Sequence, residues 1–168
     1  LFAGADDNAS GTAVLLEMAR LFSTIKEGPA RTIVLVSFDG EERGLLGSKL
    51  YVQQPRHPLH KTVAMINVDH VGVGNGKLTV GLTRFPKSIG QQAAARTSLK
   101  ETIKFYGYFP GGDHVPFYEA EVPTATVVSS GRHLAFHQPS DTPETIQPEI
   151  LQNATRYILA LTWLLANK

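Results

Sequence analysis

The hydrophobic positions along this chain form alternating helical and extended segments. Apolar residues recur at helical spacing in four segments, which predicts four helices. These segments are residues 13–22, 45–52, 88–105 and 147–166. Three unbroken apolar and β-branched runs are typical of parallel strands that are covered on both faces. These runs are residues 32–38, 63–68 and 122–128.

One further segment, residues 77–82, alternates between apolar and polar positions. Such alternation favours a strand at the edge of the sheet, with one of its sides facing water. The succession of strands and helices predicts an α/β fold, a three-layer α/β/α sandwich around a mostly parallel mixed sheet. No repeat, linker or low-complexity stretch interrupts the pattern, so we expect residues 1–168 to form one domain.

The composition is that of a globular protein, and it excludes several classes of function. Hydrophobic residues make up 42% of the chain and charged residues 18%. A formal charge of +1 gives no electrostatic reason to expect nucleic acid or an anionic membrane as a partner. The chain has no cysteine, which excludes disulfides, iron–sulfur clusters and thiol nucleophiles. Its apolar runs are shorter than the roughly 20 residues that cross a bilayer, so we expect no membrane span.

Acidic residues and histidines gather in the loops next to the predicted strands. These residues are Asp6 and Asp7 before the first helix, Asp39, Glu41 and Glu42 after residues 32–38, Asp69 and His70 after residues 63–68, and His137 after residues 122–128. Open α/β sheets bind ligands at the carboxyl ends of their strands, so these loops are expected at one edge. Packed carboxylates repel each other unless a cation lies among them. Asp, Glu and His without Cys are ligands typical of a catalytic zinc or a related divalent ion.

Five motifs along the chain carry a specific resemblance. They are GADDNASG at residues 4–11, FDGEE followed by GLLGS at 38–48, INVD at 66–69, GDHVPF at 112–117 and HQPSDTP at 137–143. In this order they resemble the zinc-dependent exopeptidases of metallopeptidase family M28, which include leucyl aminopeptidases. The resemblance extends over almost the whole chain and implies a peptide substrate.

The resemblance assigns a role to each residue of the expected metal centre. Asp7 is expected to bridge two zinc ions, Glu42 and His137 to complete the ligands of one ion, and Asp69 to bind the other. Glu41 resembles the general base, which takes a proton from the water at the metal and returns it to the leaving amine. Because adjacent side chains in extended backbone point to different sides, one of the two glutamates can hold metal while the other faces the water.

Three more residues are candidates for contact with the substrate. Asp113 and His114 are expected to line the substrate pocket or to support the metal ligands, with a structural hydrogen bond as the alternative. Tyr108, or Tyr106 near it, is a candidate for the tyrosine with which family members stabilise the oxyanion.

The chain departs from the family pattern at its beginning. Family members carry a further zinc-ligand histidine in a His-x-Asp motif upstream of the Asp-Asp loop, and none of the six histidines here matches it by position. We therefore expect a single zinc-peptidase catalytic domain that lacks its N-terminal segment. Two zinc ions are expected in the complete domain, and one or two in residues 1–168. The resemblance alone favours a secreted or periplasmic location.

Several functions remain open from the sequence. The leading hypothesis is an aminopeptidase that releases apolar N-terminal residues, because the acidic loops can bind a free α-amine; carboxypeptidases share the same catalytic residues. A glutaminyl-cyclase-like acyltransferase resembles the single-zinc site formed by Asp7, Glu42 and His137. A non-catalytic binding domain of the same fold is a third possibility. A serine hydrolase is disfavoured because no Gly-x-Ser-x-Gly motif occurs.

Overall fold

The computed structural model describes residues 3–167, which contain five α-helices and four β-strands. The helices are α1 (Gly11–Thr24), α2 (Leu46–Gln53), α3 (Lys87–Arg96), α4 (His114–Glu119) and α5 (Pro148–Ala166). The strands are β1 (Met65–Val68), β2 (Leu78–Thr83), β3 (Ile103–Tyr106) and β4 (Thr124–Ser129). The helices predicted over residues 13–22, 45–52 and 147–166 and the strands over 63–68 and 122–128 are confirmed.

The four strands form one mixed sheet in the order β1-β4-β2-β3. Strand β1 runs parallel to β4, and β2 runs parallel to β3 but antiparallel to β4. The α/β fold class is therefore confirmed. Because β1 and β4 are parallel neighbours, the loops that follow them leave the sheet at the same edge, where the candidate site lies.

The prediction of an edge strand at residues 77–82 is wrong, because β2 lies between β4 and β3. Thr79 within this segment and Thr83 just after it pair with hydroxyl groups of neighbouring residues, and both are only partly exposed. The hydroxyl groups of Thr79 and Ser130 are 2.8 Å apart, and those of Thr83 and Thr124 are 2.6 Å apart. The alternation of apolar and polar residues in this segment therefore reflects hydroxyl pairs within the sheet and not a solvent-facing edge.

The prediction of one helix over residues 88–105 is wrong in its second half. Helix α3 ends at Arg96, where the hydroxyl group of Thr97 donates to the carbonyl of Ala93 and Ser98 adopts a left-handed φ of 61°. The chain then forms β3, whose Ile103 is in register with Leu78 of β2. The β-branched and aromatic residues of β3 suit a strand better than a helix.

The prediction of a parallel strand at residues 32–38 is also wrong for the described part of the chain. These residues have no regular secondary structure, although their composition is that of a buried strand. Val34 and Leu35 are 45% and 40% exposed. A cavity of about 1360 Å³ lies between residues 30–38 and β1. Paired strands lie about 4.8 Å apart. Because the cavity separates residues 32–38 from β1, the two segments cannot form the backbone hydrogen bonds of a sheet.

The hydrophobic core lies where the sheet packs against helices α1, α3 and α5. Its largest fully buried side chains include Met18 of α1, Tyr157 and Leu161 of α5, Val80 of β2 and Val127 of β4. Within residues 3–167, no helix is both long and apolar enough to cross a membrane.

Removing a large side chain from this core should destabilise the fold strongly. Leu161 is fully buried, so Leu161→Ala is expected to lower the free energy of unfolding by about 2–5 kcal/mol in urea titrations. Leu134 is 85% exposed and provides the matched control, with an expected change within about 0.5 kcal/mol for Leu134→Ala. Equal losses for the two variants would contradict this location of the core.

Candidate metal centre

The loop that carries Asp7 is held by hydrogen bonds to residues far along the chain. The backbone N–H groups of Asp6 and Asp7 donate to the two carboxylate oxygens of Asp141, at 2.8 and 3.0 Å. The N–H of Ala5 donates to the carbonyl of Asp141 at 3.3 Å. Asp141 is buried, with 2% of its surface exposed. It therefore ties the Asp7 loop to the loop that carries His137.

Asn8 ties the same loop to the end of β1. Its Nδ2 donates to the carbonyl of Val68 at 2.9 Å, and its Oδ1 accepts from the N–H of Gly11 at 2.9 Å. The second bond pairs the N–H of the first residue of α1, which has no partner within the helix. Asp7 is thus fixed between the start of α1 and the carboxyl end of β1.

Asp6 faces the interior of the protein, away from the converging ligand atoms. Its Oδ1 accepts from the N–H of Gly72 at 2.8 Å, and its Oδ2 lies 2.6 Å from Nδ1 of His133. The hydrogen bond with Asp6 raises the pKa of His133. The pair joins the segment after β1 to the loop after β4, which is a structural role.

Glu41 and Glu42 lie in a single turn, Glu41–Arg43, bounded by two glycines with left-handed backbone. Gly40 has a φ of 69° and Gly44 a φ of 92°, conformations that glycine adopts without steric cost. The carbonyl of Gly40 also accepts from the N–H of Leu46, the first residue of α2. The two glutamates therefore lie in a helical turn beside the cavity, and the expectation of extended backbone at this pair is wrong.

Three of the predicted metal ligands converge on a single point. Nε2 of His137 lies 3.0 Å from Oδ2 of Asp7 and 2.8 Å from Oε1 of Glu42. One ligand atom from each of the three residues lies within 4.8 Å of the other two. Two carboxylates and one imidazole are a typical donor set for zinc in catalytic sites, so the residues fit the ion that the sequence predicts.

Carboxylates crowd around this group and raise one another's pKa. Burial raises the pKa of Asp7, and the charge of Glu42 adds to the effect. Burial raises the pKa of Asp69 to about 7, and the charges of Asp7 and Glu41 add to it. Burial followed by the charge of Glu42 raises the pKa of Glu41. A divalent cation among these groups would reverse the effect by favouring their charged forms.

Asp69 and Asp113 lie beside the converging atoms but are not among them. Asp69 directly follows β1, and its carboxylate lies beside Gly112, the residue before Asp113. Both aspartates line the same cavity as Glu41. Burial raises the pKa of Asp113. A zinc-binding role for Asp69 and a substrate-binding role for Asp113 stay predictions.

His114 and Tyr108 lie further from the converging atoms. His114 is 2% exposed, its Nε2 is 2.9 Å from the carbonyl oxygen of Phe109, and burial lowers its pKa. Tyr108 is 42% exposed and stacks on Tyr118 at 4.2 Å between ring centroids. Neither residue lines the cavity that contains Glu41. Their contact with substrate stays a prediction.

Sequence analysis did not identify Asp141 or Asn8 as parts of the site. Each belongs to a motif that was recognised, Asn8 in GADDNASG and Asp141 in HQPSDTP. Their side chains bind backbone groups that are distant in sequence, and no spacing rule reveals such contacts. The motifs themselves were the one signal that pointed to them.

Comparison with known proteins agrees with this geometry. Peptidase family M28 matches residues 2–162. The chain is 30% identical over 173 residues to Aminopeptidase YwaD of Bacillus subtilis (strain 168), covering 95% of this chain and 37% of that protein. It is 34% identical over 176 residues to a probable leucine aminopeptidase of Arthroderma benhamiae, covering 97% of this chain and 48% of that protein.

A solved structure shares the fold. BSAP, a zinc aminopeptidase from Bacillus subtilis, superposes with a TM-score of 0.88 at 29% identity, covering 99% of this chain and 43% of that one. The chain spans less than half the length of each of these three relatives. Because the family match includes nearly every residue of the chain, the chain belongs to peptidase family M28, as its motifs predicted.

Proposed function

We propose that this chain forms the catalytic part of a zinc aminopeptidase, which hydrolyses the first peptide bond of its substrate. The observation that carries the proposal is the convergence of Asp7, Glu42 and His137, with Glu41 beside them. The relatives named aminopeptidase and zinc aminopeptidase support the same activity.

Asp7, Glu42 and His137 would hold one zinc ion. Zinc in such a site lowers the pKa of water and polarises a carbonyl group, which are the two requirements of amide hydrolysis. Asp7 and Asp69 would share a second ion in the complete domain. The negative charge of Asp7 raises the pKa of Asp69, so the two carboxylates are close enough to interact, which supports this pairing.

Glu41 would act as the general base. It lies next to Glu42, and the charges of Glu42 and Asp113 act on its carboxylate. A carboxylate beside the zinc ligands can accept a proton from water, which is what a general base must do. Glu41 would take a proton from the attacking water and hand it to the amine that leaves.

The excess of carboxylates also favours a substrate with a free amino terminus. Asp113 acts on Glu41 by its charge but lies outside the converging ligand atoms, so it can neutralise a cationic α-amine beside the metal. A carboxypeptidase would instead need a cation for the substrate carboxylate. An aminopeptidase therefore fits the charge of the site best.

A second candidate is a glutaminyl-cyclase-like acyltransferase with one zinc ion. The three converging residues favour it, because Asp69 is not part of that group. The products distinguish the two activities. An aminopeptidase releases a free amino acid from a peptide with an N-terminal glutamine, whereas the acyltransferase cyclises that glutamine and releases ammonia.

Replacing Glu41 should abolish catalysis without loss of metal. Glu41→Gln keeps the shape of the side chain but cannot accept a proton, so kcat toward an aminoacyl anilide is expected to fall by about 10²–10⁴-fold. Zinc content, measured by elemental analysis, should stay unchanged. Glu101→Gln makes the same chemical change at an exposed turn and serves as the control. Full activity in Glu41→Gln would show that another group is the base.

Zinc should stabilise the fold through His137. At a zinc concentration of about 100 times Kd, binding to the native state adds about 2.7 kcal/mol to the free energy of unfolding. We expect zinc to raise the Tm of the wild type in scanning calorimetry, and His137→Ala to lose most of this rise. His60→Ala removes an exposed histidine outside the site and should keep it. A rise of equal size in His137→Ala would contradict the ligand assignment.

Asp141 should affect zinc binding through the position of Asp7. Asp141→Asn replaces one of the two acceptor oxygens by an amide donor, which cannot bind a backbone N–H. We expect zinc affinity in a competition titration with a chelator to fall by about 10–100-fold. Ser140→Ala changes an exposed neighbour and should leave the affinity unchanged. Unaltered affinity in Asp141→Asn, with its circular dichroism intact, would exclude this positioning role.

A further inference from the structure

A second pocket lies between the C-terminal ends of α1 and α3 and the second half of α5. We call it the helix-end pocket. Its volume is about 450 Å³, and its lining includes Ile25, Arg96, Arg156, Leu159, Ala160 and Trp163. None of the residues that line it also lines the larger cavity at the metal centre. The helix-end pocket is therefore a separate feature of the structure.

Helix α5 separates the helix-end pocket from the metal centre. The helix begins at Pro148, shortly after Asp141, whose carboxylate holds the Asp7 loop. Trp163 lies in the last turn of the same helix. At a rise of 1.5 Å per residue, it is roughly 22 Å along the helix axis from Pro148. The pocket therefore lies at the far end of the helical layer and is not a subsite of the metal centre.

One face of α5 forms a wall of the helix-end pocket with residues at helical spacing. They are Arg156, Leu159, Ala160 and Trp163. Residues that are three, four and seven positions apart lie on the same side of a helix. The residues of α5 that are buried in the core occupy other positions, and the three apolar residues of this wall are only half-buried. The pocket therefore has an apolar wall that a ligand can reach.

Two arginines add positive charge to this apolar pocket. Arg96 is the last residue of α3, and Nη2 of Arg156 donates to the carbonyl of Thr97 at 3.0 Å, which fixes that guanidinium beside the end of α3. Both arginines are exposed, and within residues 3–167 neither forms an ion pair. The described residues that line the pocket include no acid. No group in the pocket therefore balances the two positive charges.

The chemistry of the helix-end pocket fits a small molecule with an apolar body and one anionic group. Its volume lies within the roughly 300–1,000 Å³ that is typical of small-ligand pockets. A guanidinium binds a carboxylate through two parallel N–H bonds, and an apolar body is favoured by contact with apolar side chains. A free amino acid, the product of the proposed reaction, fits less well because its ammonium group would lie near two arginines.

We propose that the helix-end pocket binds an amphipathic carboxylate, a molecule that joins one carboxylate group to an aliphatic or aromatic body. The carboxylate group lies between Arg96 and Arg156. The body packs on Ile25, Leu159 and Trp163. Because these residues belong to α3, to α5 and to the end of α1, the bound molecule links three helices. The site is independent of the proposed peptidase activity, and it can be tested without measuring that activity.

The fluorescence of Trp163 tests the proposal, because this residue is the single tryptophan of the chain and lines the pocket. Octanoate is titrated into the protein while the emission maximum is recorded. We expect a shift that saturates. Octanol keeps the tail without the charge, and acetate keeps the charge without the tail, so each should bind at least about tenfold more weakly. No shift below the concentration at which octanoate forms micelles would overturn the proposal, and so would equal affinity for either analogue.

Substitution of the arginines locates the carboxylate. Arg96→Gln and Arg156→Gln should each raise the Kd for octanoate about tenfold, because each removes a charged donor from the pocket. Arg56→Gln removes an exposed arginine outside the pocket and should leave the Kd unchanged. An unaltered Kd in both pocket variants, with intact circular dichroism, would contradict the anion site. An emission shift that depends on protein concentration without octanoate, with dimers in light scattering, would show that a second copy covers the pocket and would overturn the proposal.

Discussion

Mutual repulsion among carboxylates at one edge of the sheet is the constraint on which this structure depends. Asp7, Glu41, Glu42 and Asp69 come from three separate loops, and burial together with their shared charge raises the pKa of three of them. Such a cluster costs free energy in the folded state unless a cation balances it. The proximity of His137 to Asp7 and Glu42 gives that cation a defined position. A cation bound at this position would therefore stabilise the folded state.

The loops that hold the cluster are fixed by hydrogen bonds that need no metal. Asp141 binds two backbone N–H groups of the Asp7 loop, Asn8 binds β1, and Asp6 binds His133. Each bond joins segments that are at least 60 residues apart in sequence. The ligands are thus oriented by the fold before any ion arrives. Such preorganisation lowers the free energy that metal binding would otherwise spend on ordering the loops.

The sequence predicted the helices with strong periodicity, such as α1 and α5, because their apolar stripes depend on local spacing alone. It failed where tertiary partners decide the outcome. The hydroxyl pairs of Thr79 and Thr83 imitate an edge strand, and a turn at Ser98 divides an apparently continuous helix. Residues 32–38 carry the composition of a buried strand, but composition cannot show whether a neighbouring strand is present to pair with them.

The proximity of three candidate ligands, though not their metal-binding role, could be predicted from the sequence. The rule that ligands bind at the carboxyl ends of strands indicated the loops, and the motifs indicated Asp7, Glu42 and His137 within them. These three residues do converge. The contacts of Asp141 could not be derived, because they join a side chain to backbone groups 134 and 135 residues away. Such bonds depend on how the loops fold back, which no local pattern encodes.

Diffraction from crystals grown with zinc, recorded at the zinc absorption edge, tests the central claim most directly. The account predicts an anomalous peak about 2.0–2.2 Å from a carboxylate oxygen of Asp7, a carboxylate oxygen of Glu42 and Nε2 of His137. A second peak between Asp7 and Asp69 would add the proposed second ion. A peak bound by other residues, or no peak while these three side chains stay converged, would contradict the account.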